Sequence, residues 1–412
     1  MFLYYLDRVD CRLRLGGRCT VRILVLSFYY YPDLSAGSFR ATAFVRALRK
    51  ELPATAQIEV VTTSPNRYKS YGAGVAAVEA EAGVDVHRIA LPKHASDMAG
   101  QTRAFVCFAI QVRNYTRGKR YDLVFATSSR LLTAALGALI ARRCSAKLYL
   151  DIRDIFVDTI KDVLPRPVAL VAGPFAEALE KWTIGSAAHV NVVSAGFIEY
   201  FCTRYPNTKY SVFTNGIDEE FLAVDEPVKR LRLPGPLKIT YAGNIGEGQG
   251  LHEILPELAA RMRDRARFKV IGDGGRRTEL LARLNEADVS GLVEVLPPVS
   301  RGKLIAEYLD ADVLFLHLND YPAFKKVLPS KLFEYAALGK PILAGVGGYA
   351  ARFVTSEIEN AVVFKPCDAE DAMRAFNELT IQTIVRPGFR IKYAREPIMR
   401  AMASEVRATA ES

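Results

Sequence analysis

Short, nearly continuous apolar runs recur along this chain, and stretches with helical spacing separate them. The first is Val21-Arg22-Ile23-Leu24-Val25-Leu26-Ser27, and similar runs follow at 58–62, 84–89, 122–126, 147–150, 189–193 and 210–214. Runs of this kind fit strands buried on both faces. Helical patterns at 39–50 and 196–204 lie between them, and another opens after Gly173-Pro174-Phe175. Alternation of strand and helix predicts a parallel sheet covered on both sides. Residues 224–236 (VDEPVKRLRLPGP) break the pattern with proline and charge, and read as a connection between domains. The pattern then restarts, with strands at 237–242, 268–271, 292–296 and 312–317 and helices at 251–263 and 302–310. From about position 386 the chain reads as helical and basic, and is expected to pack back across the first domain. The expected architecture is α/β: two doubly wound parallel-sheet domains, 21–230 and 231–385, with 386–412 returning to the first.

Residues 1–20 (MFLYYLDRVDCRLRLGGRCT) precede a strand of the kind that normally opens such a domain. They are read as a mis-assigned start, with translation beginning at position 21 from an alternative codon that reads as valine. A short amphipathic segment touching a membrane is the other reading.

Composition narrows the class. Half of the 412 residues are hydrophobic and 24% are charged, as in globular proteins. The longest apolar runs, near 105–112 and 131–141, fall short of a membrane span. The six cysteines (Cys11, Cys19, Cys107, Cys144, Cys202, Cys367) lack metal-type spacing and fit reduced thiols in a cytosol. The five histidines are equally dispersed, so no metal site is expected. The net charge of +10 is concentrated: Arg103, Arg113, Arg117, Lys119, Arg120, Arg130, Arg142, Arg143 and Lys147 face only Asp122 in that stretch. Such a field suits anionic lipid or a pyrophosphate-bearing acceptor, unless it is merely a solvated basic face. No nucleic-acid-binding signature is present.

The stretch 325–344 (KKVLPSKLFEYAALGKPILA) carries the clearest chemistry. It reads as a loop, a helix capped by Ser330, a stop at Gly339 before Pro341, and a buried strand. The helix spans only about two turns, too short to persist alone, so tertiary contacts or a ligand must hold it. Lys331 and the helix tip suit a phosphate, and Glu334, one turn on, suits sugar hydroxyls. Together they describe a nucleotide-sugar site; an ordinary αβ unit with a surface Lys and Glu is the alternative. The loop Gly243-Asn244-Ile245-Gly246-Glu247-Gly248-Gln249-Gly250 reads as a backbone cradle for phosphate, or as glycine-rich merely to turn, and Gly272-Asp273-Gly274-Gly275 repeats the theme. Gly37 opens a helix where backbone can approach a ligand closely, with a generic βα turn as the alternative. Asp151-Ile152-Arg153-Asp154 follows a strand end, where its carboxylates either orient a hydroxyl or form a structural ion pair.

Four segments carry a resemblance: Tyr241-Ala242-Gly243-Asn244-Ile245-Gly246, Gly272-Asp273-Gly274, Thr214-Asn215-Gly216-Ile217-Asp218 and Pro329-Ser330-Lys331-Leu332-Phe333-Glu334-Tyr335. They resemble the retaining GT-B glycosyltransferases of family 4, in particular the bacterial O-antigen and capsule branch that includes N-acetyl-L-fucosamine transferases, and the resemblance implies two Rossmann-like domains facing a central cleft. The resemblance covers nearly the whole chain from Val21 onward. It implies that Glu334 is the second glutamate of the E-x7-E motif and holds the donor ribose. The first glutamate is replaced by Lys326, and Asn244 and Gln249 stand near the positions of the usual diphosphate-binding Arg and Lys. Lys331, helped by Lys326 or Lys325, is then expected to supply the positive charge. The donor-binding set becomes Gly37, Asn244, Gly246, Gln249, Asp273, Gly274, Lys326, Ser330, Lys331 and Glu334. The catalytic set becomes Asp151, Asp154 and Lys331; the 151–154 segment falls where many members place a donor-contacting histidine.

The implied reaction moves a sugar, with retention, from a UDP-sugar to a lipid-diphosphate-linked saccharide, without a metal. The implied location is the cytoplasm, peripheral at the inner face of the membrane and its anionic surface. A UDP-sugar 2-epimerase of the same architecture, or a GT-B protein that only binds, are the alternatives.

Overall fold

Burial on both faces turns the apolar runs into two sheets in the computed structural model, which describes residues 20–65, 78–81, 83–92, 98–128, 131–163, 166–224 and 235–412. The chain runs β1 (Arg22–Leu26), α1 (Ala36–Glu51), β2 (Gln57–Thr63), β3 (Val78–Glu81), β4 (Val84–Ile89), α2 (Met98–Tyr115), β5 (Leu123–Ser128) and α3 (Leu131–Cys144). It continues through β6 (Lys147–Ile152), α4 (Phe156–Val163), α5 (Arg166–Gly185), β7 (His189–Val192), α6 (Ile198–Arg204), β8 (Tyr210–Val212) and α7 (Glu219–Leu222). These strands form an eight-stranded sheet, order β3-β4-β2-β1-β5-β6-β7-β8, parallel except for the edge strand β3.

The second half runs β9 (Leu237–Asn244), α8 (Leu251–Arg261), β10 (Ala266–Asp273), α9 (Arg277–Glu286), β11 (Val293–Leu296), α10 (Arg301–Asp310) and β12 (Val313–His317). It ends with α11 (Lys331–Ala337), β13 (Ile342–Gly345), α12 (Gly348–Glu357), β14 (Ala361–Phe364), α13 (Ala369–Glu378), α14 (Pro387–Lys392) and α15 (Arg395–Glu411). Its six strands are all parallel, in the order β11-β10-β9-β12-β13-β14. Two doubly wound sheets are the expected α/β architecture.

Each sheet is covered on both faces. On one face of the first sheet Phe105, Phe108, Leu136, Ile140 and Ile184 of α2, α3 and α5 are buried. On the other face Phe44 and Leu48 of α1 meet Met399 and Met402 of α15. The C-terminal helix therefore belongs to the first domain, whereas Phe389 of α14 belongs to the second core.

The two crossings between domains touch each other. Ile217 donates its N–H to Tyr393 O at 2.7 Å, and Arg395 donates back to Ile217 O at 2.9 Å. Ile217 and Phe221 are fully buried in the second core, so the first crossing comes before position 217. Most of the 224–236 segment read as the connection lies outside the described residues, as does nearly all of the 1–20 leader. One helix is longer than its pattern: α5 starts at Arg166 and carries Pro174 inside it.

Candidate functional site

The ends of β9 and β10 lie side by side, with Gly243 opposite Gly272 and Asn244 opposite Asp273. A Cβ on Gly272 would come within 1.8 Å of Gly243 O, so only glycine lets these strand ends approach. Beside them α11 presents Lys331. A Cβ on Gly243, whose φ is +153°, would lie 2.2 Å from Lys331 Nζ. The bare glycine is what allows the ammonium to rest against the backbone, 5.6 Å from the centre of the Tyr241 ring.

A cavity of about 210 Å³ opens here, with walls from both domains. The first domain contributes the loop and first turn of α1, including Leu34, Ser35 and Phe39. Ser35 caps that helix, accepting from Ser38 N at 3.2 Å. The second domain contributes Gly243, Asn244, Gly272, Ser330, Lys331 and Glu334, with Arg301 and Tyr308 of α10.

Glu334 is nearly buried, and burial pushes its carboxyl up, with Arg301 opposing. Arg301 Nη1 donates to Glu334 Oε1 at 3.2 Å, and Nη2 pairs with Asp218. Arg395 closes the chain, its Nε 3.0 Å from the other Asp218 oxygen. This chain links the cavity carboxylate to the segment where the two crossings meet.

The remaining sequence expectations divide. Asn244 Nδ2 donates to Gln249 Oε1 at 2.7 Å, which braces the glycine loop around Gly246. Asp273 Oδ1 accepts from Gly274 N at 2.9 Å, and its carboxylate so far serves that turn. Gly37 sits at the start of α1 with Arg153 Nη1 3.1 Å from where a Cβ would be. Asp154 follows Arg153 and is exposed where the chain leaves β6, outside the cavity lining.

Three expectations need correction. Asp151 does not line the cavity. It is 1% exposed and takes a bidentate hydrogen bond from Arg40, both contacts at 2.9 Å, with Asn191 Nδ2 at 2.6 Å. Burial alone would raise its carboxyl, but Arg40 holds it below the ordinary range. The ion pair is structural, and its arginine is Arg40 of α1, not the neighbouring Arg153.

Lys326 does not line the cavity either. Its Nζ lies 2.7 Å from Asp158 of α4, and its carbonyl accepts from Ser194 Oγ at 2.7 Å, so it ties the two domains together. The turn Pro322–Lys326 is what directs it toward the first domain. Ser330, finally, has helical backbone angles and makes no side-chain cap, although it does line the cavity.

Sequence reading missed Arg301. Its only signal is position: it follows the exit of β11, at the carboxyl end of a strand, where ligands of such sheets bind. Among the described residues, His252, Glu253 and Glu279 are close enough together to share a cation. They lie on α8 and α9 outside the cavity, and Arg276 and Arg283 already engage the two glutamates.

Comparison with known proteins follows the same division into two domains. Residues 41–216 match the model of a glycosyl transferase 4-like domain, and residues 225–392 match glycosyl transferases group 1. No curated protein matches the chain in sequence. Among solved structures, sucrose-phosphate synthase (tll1590) from Thermosynechococcus elongatus is similar at 14% identity and TM-score 0.63, over 95% of this chain and 96% of that one. The lipopolysaccharide outer core galactosyltransferase WaaB, apo form, aligns at 12% identity and TM-score 0.59, over 95% and 99%. Anabaena Alr3699/HepE in complex with UDP and glucose aligns at 16% identity and TM-score 0.58, over 95% and 97%. At these identities the likeness is one of fold. The two domain models supply the family: the chain belongs to the GT-B glycosyltransferases that join a glycosyl transferase 4-like domain to a group 1 domain.

Proposed function

We propose that this glycosyltransferase moves a sugar, with retention, from a UDP-sugar to a lipid-diphosphate-linked saccharide of O-antigen or capsule type, working peripherally at the inner face of the cytoplasmic membrane. UDP-N-acetyl-L-fucosamine or a related N-acetylamino sugar is the donor in this reading. The observation that carries it is Lys331 packed on Gly243, with Glu334 one turn along α11 in the same cavity. The ammonium faces the diphosphate, and the carboxylate accepts the ribose hydroxyls. The UDP held by the Anabaena relative supports a uridine donor.

In the reaction the bond from the anomeric carbon to the diphosphate breaks as the acceptor hydroxyl attacks on the same face. The hydroxyl proton passes to the departing phosphate oxygen. Negative charge grows on that phosphate, so Lys331 and the N–H groups around the glycine strand ends stabilise the transition state more than the ground state. The reading requires no divalent cation. Walls from two domains let closure exclude water and suppress donor hydrolysis.

The test is a panel of UDP-N-acetylamino sugars offered with a synthetic prenyl-diphosphate-GlcNAc acceptor, products followed by NMR. An α-linked disaccharide from an α-linked donor is expected. Conversion of the donor at C2 without an acceptor would replace this reading with epimerisation.

A further inference from the structure

Eight of the twelve large hydrophobic side chains exposed among the described residues lie on just three helices, α2, α3 and α5. These helices form one layer. The connections β4→β5, β5→β6 and β6→β7 all step the same way along the sheet, and right-handed crossovers place their helices on one face. Their inner sides share one buried cluster, so the exposed side chains form its outer surface. The exposure is greatest on α5: Leu170 is 77%, Val171 67% and Phe175 75% exposed. Val168, Val171 and Phe175 recur at i, i+3 and i+7, which makes one stripe along the helix.

The charge of this layer is one-sided. Neither α2 nor α3 contains an aspartate or glutamate, while Arg103, Arg113, Arg142 and Arg143 are exposed on them. The first ten residues of α5 also lack an acid. An apolar surface flanked by two helices whose charges are all basic is a poor match for a second copy of itself, since a two-fold contact would bring arginine toward arginine. It matches a layer of anionic headgroups over hydrocarbon. No helix among the described residues is long and apolar enough to cross a membrane, so the contact lies in the interfacial plane.

We propose that the α5 stripe inserts among the headgroups of an anionic bilayer, while the arginines of α2 and α3 hold the phosphates around it. This rests on the lipid-linked acceptor read above and deepens it. Helix α4, which packs against α5, begins just after Asp154 and reaches the second domain through Asp158 and Lys326. Insertion of α5 therefore brings the mouth of the interdomain cleft down to the membrane, where a lipid-linked acceptor lies. Binding through arginines alone would vanish in salt; binding through an inserted stripe keeps a part that salt does not remove.

The test is flotation of the full chain with phosphatidylcholine vesicles, with and without phosphatidylglycerol, at low and high salt. UDP binding and transfer to a short, water-soluble acceptor are measured alongside as checks of folding and of the donor site. Wild type is expected to float with the anionic vesicles and to retain a fraction at high salt. Val171→Asp combined with Phe175→Asp should weaken that salt-resistant binding by roughly tenfold or more, with UDP binding unchanged. Arg142→Glu combined with Arg143→Glu should weaken only the low-salt part. Vesicle binding by the α5 variant equal to wild type at high salt would overturn the proposal. So would an α5 variant that converts a dimer to a monomer while its vesicle binding is unchanged. Insertion that persists while no lipid-linked acceptor is ever glycosylated would support the membrane contact and overturn the acceptor reading alone.

Discussion

Arg301 grips Glu334, with Nη1 3.2 Å from Oε1, and its guanidinium is packed by rings from two places in the fold. Its central carbon lies 4.3 Å from the Phe39 ring centre and 4.6 Å from that of Phe221. Phe39 belongs to α1 of the first domain and Phe221 to the core of the second. The carboxylate assigned to the ribose is thus oriented by a residue that also touches the opposite domain. Loss of the Phe39 contact on domain opening would loosen Glu334, which couples ribose capture to closure.

Replacing Arg301 separates these roles. Arg301→Met keeps the stem but leaves Glu334 without its guanidinium partner and Asp218 with Arg395 alone. A charge-assisted hydrogen bond contributes about 1.5–3 kcal/mol, so a rise of roughly tenfold to a hundredfold in donor KM is expected, with a smaller change in kcat. Arg301→Lys should recover only part, because one ammonium cannot span both carboxylates as the guanidinium fork does. Steady-state kinetics with varied donor measure the split.

Lys331 and Gly243 should fail together. Lys331→Ala removes the ammonium and should weaken UDP binding by roughly tenfold to a hundredfold. Gly243→Ala places a methyl where the ammonium now rests, at a φ that L-residues rarely adopt. It should cause a similar loss of UDP affinity with Lys331 still present, and the double variant should be little worse than either single one. Calorimetric titration with UDP tests this. Additive losses would mean that the glycine serves only the turn.

Much of this was legible in the chain. Strands buried on both faces announce themselves as apolar runs, as in β5, where all six residues are buried; the alternating stretch at 84–89 matches β4 residue for residue. The edge strand β3, VEAE, has no such signature because two of its four residues are glutamates. Site chemistry was legible where it is local, as with Lys331 and Glu334 on one turn of α11. It was hidden where partners are distant. Arg40 and Asp151 are 111 residues apart, and nothing in the sequence near Asp151 points to Arg40 in preference to Arg153. Motif spacing aligned Lys326 with a donor-binding glutamate, but spacing carries no information on which way a short turn aims a side chain.

That buried pair predicts a stability defect without a donor defect. Arg40 also donates to Thr214 O at 2.7 Å and Phe213 O at 2.8 Å, fixing the strand exit just before the chain crosses domains. Asp151→Ala leaves the guanidinium uncompensated in the interior, a cost of about 3–5 kcal/mol. A large drop in melting temperature is expected, with UDP affinity near wild type in the fraction that remains folded. A stable variant that has lost catalysis would return Asp151 to the catalytic set.

Acid should loosen the glycine loop through His317. This histidine is fully buried on β12; its Nδ1 lies 2.7 Å from Gln249 O, and its Nε2 accepts from Cys367 N at 2.9 Å. The two contacts define a neutral ring with its proton on Nδ1, and adding a second proton would set two donors face to face at Nε2. Burial holds the folded value down to about 4, against 6.5 for the free side chain, even though the Gln249 carbonyl pulls upward. Between those values the unfolded chain binds the proton and the folded chain does not. Stability contributed by this group is therefore complete above pH 6.5 and declines as pH falls toward 4, by at most about 3 kcal/mol. Because Gln249 also accepts from Asn244, UDP affinity should fall over the same range. Urea unfolding at pH 7.5 and pH 5 measures the slope, and His317→Gln, which cannot titrate, should flatten it. An unchanged slope in that variant would place the acid sensitivity elsewhere.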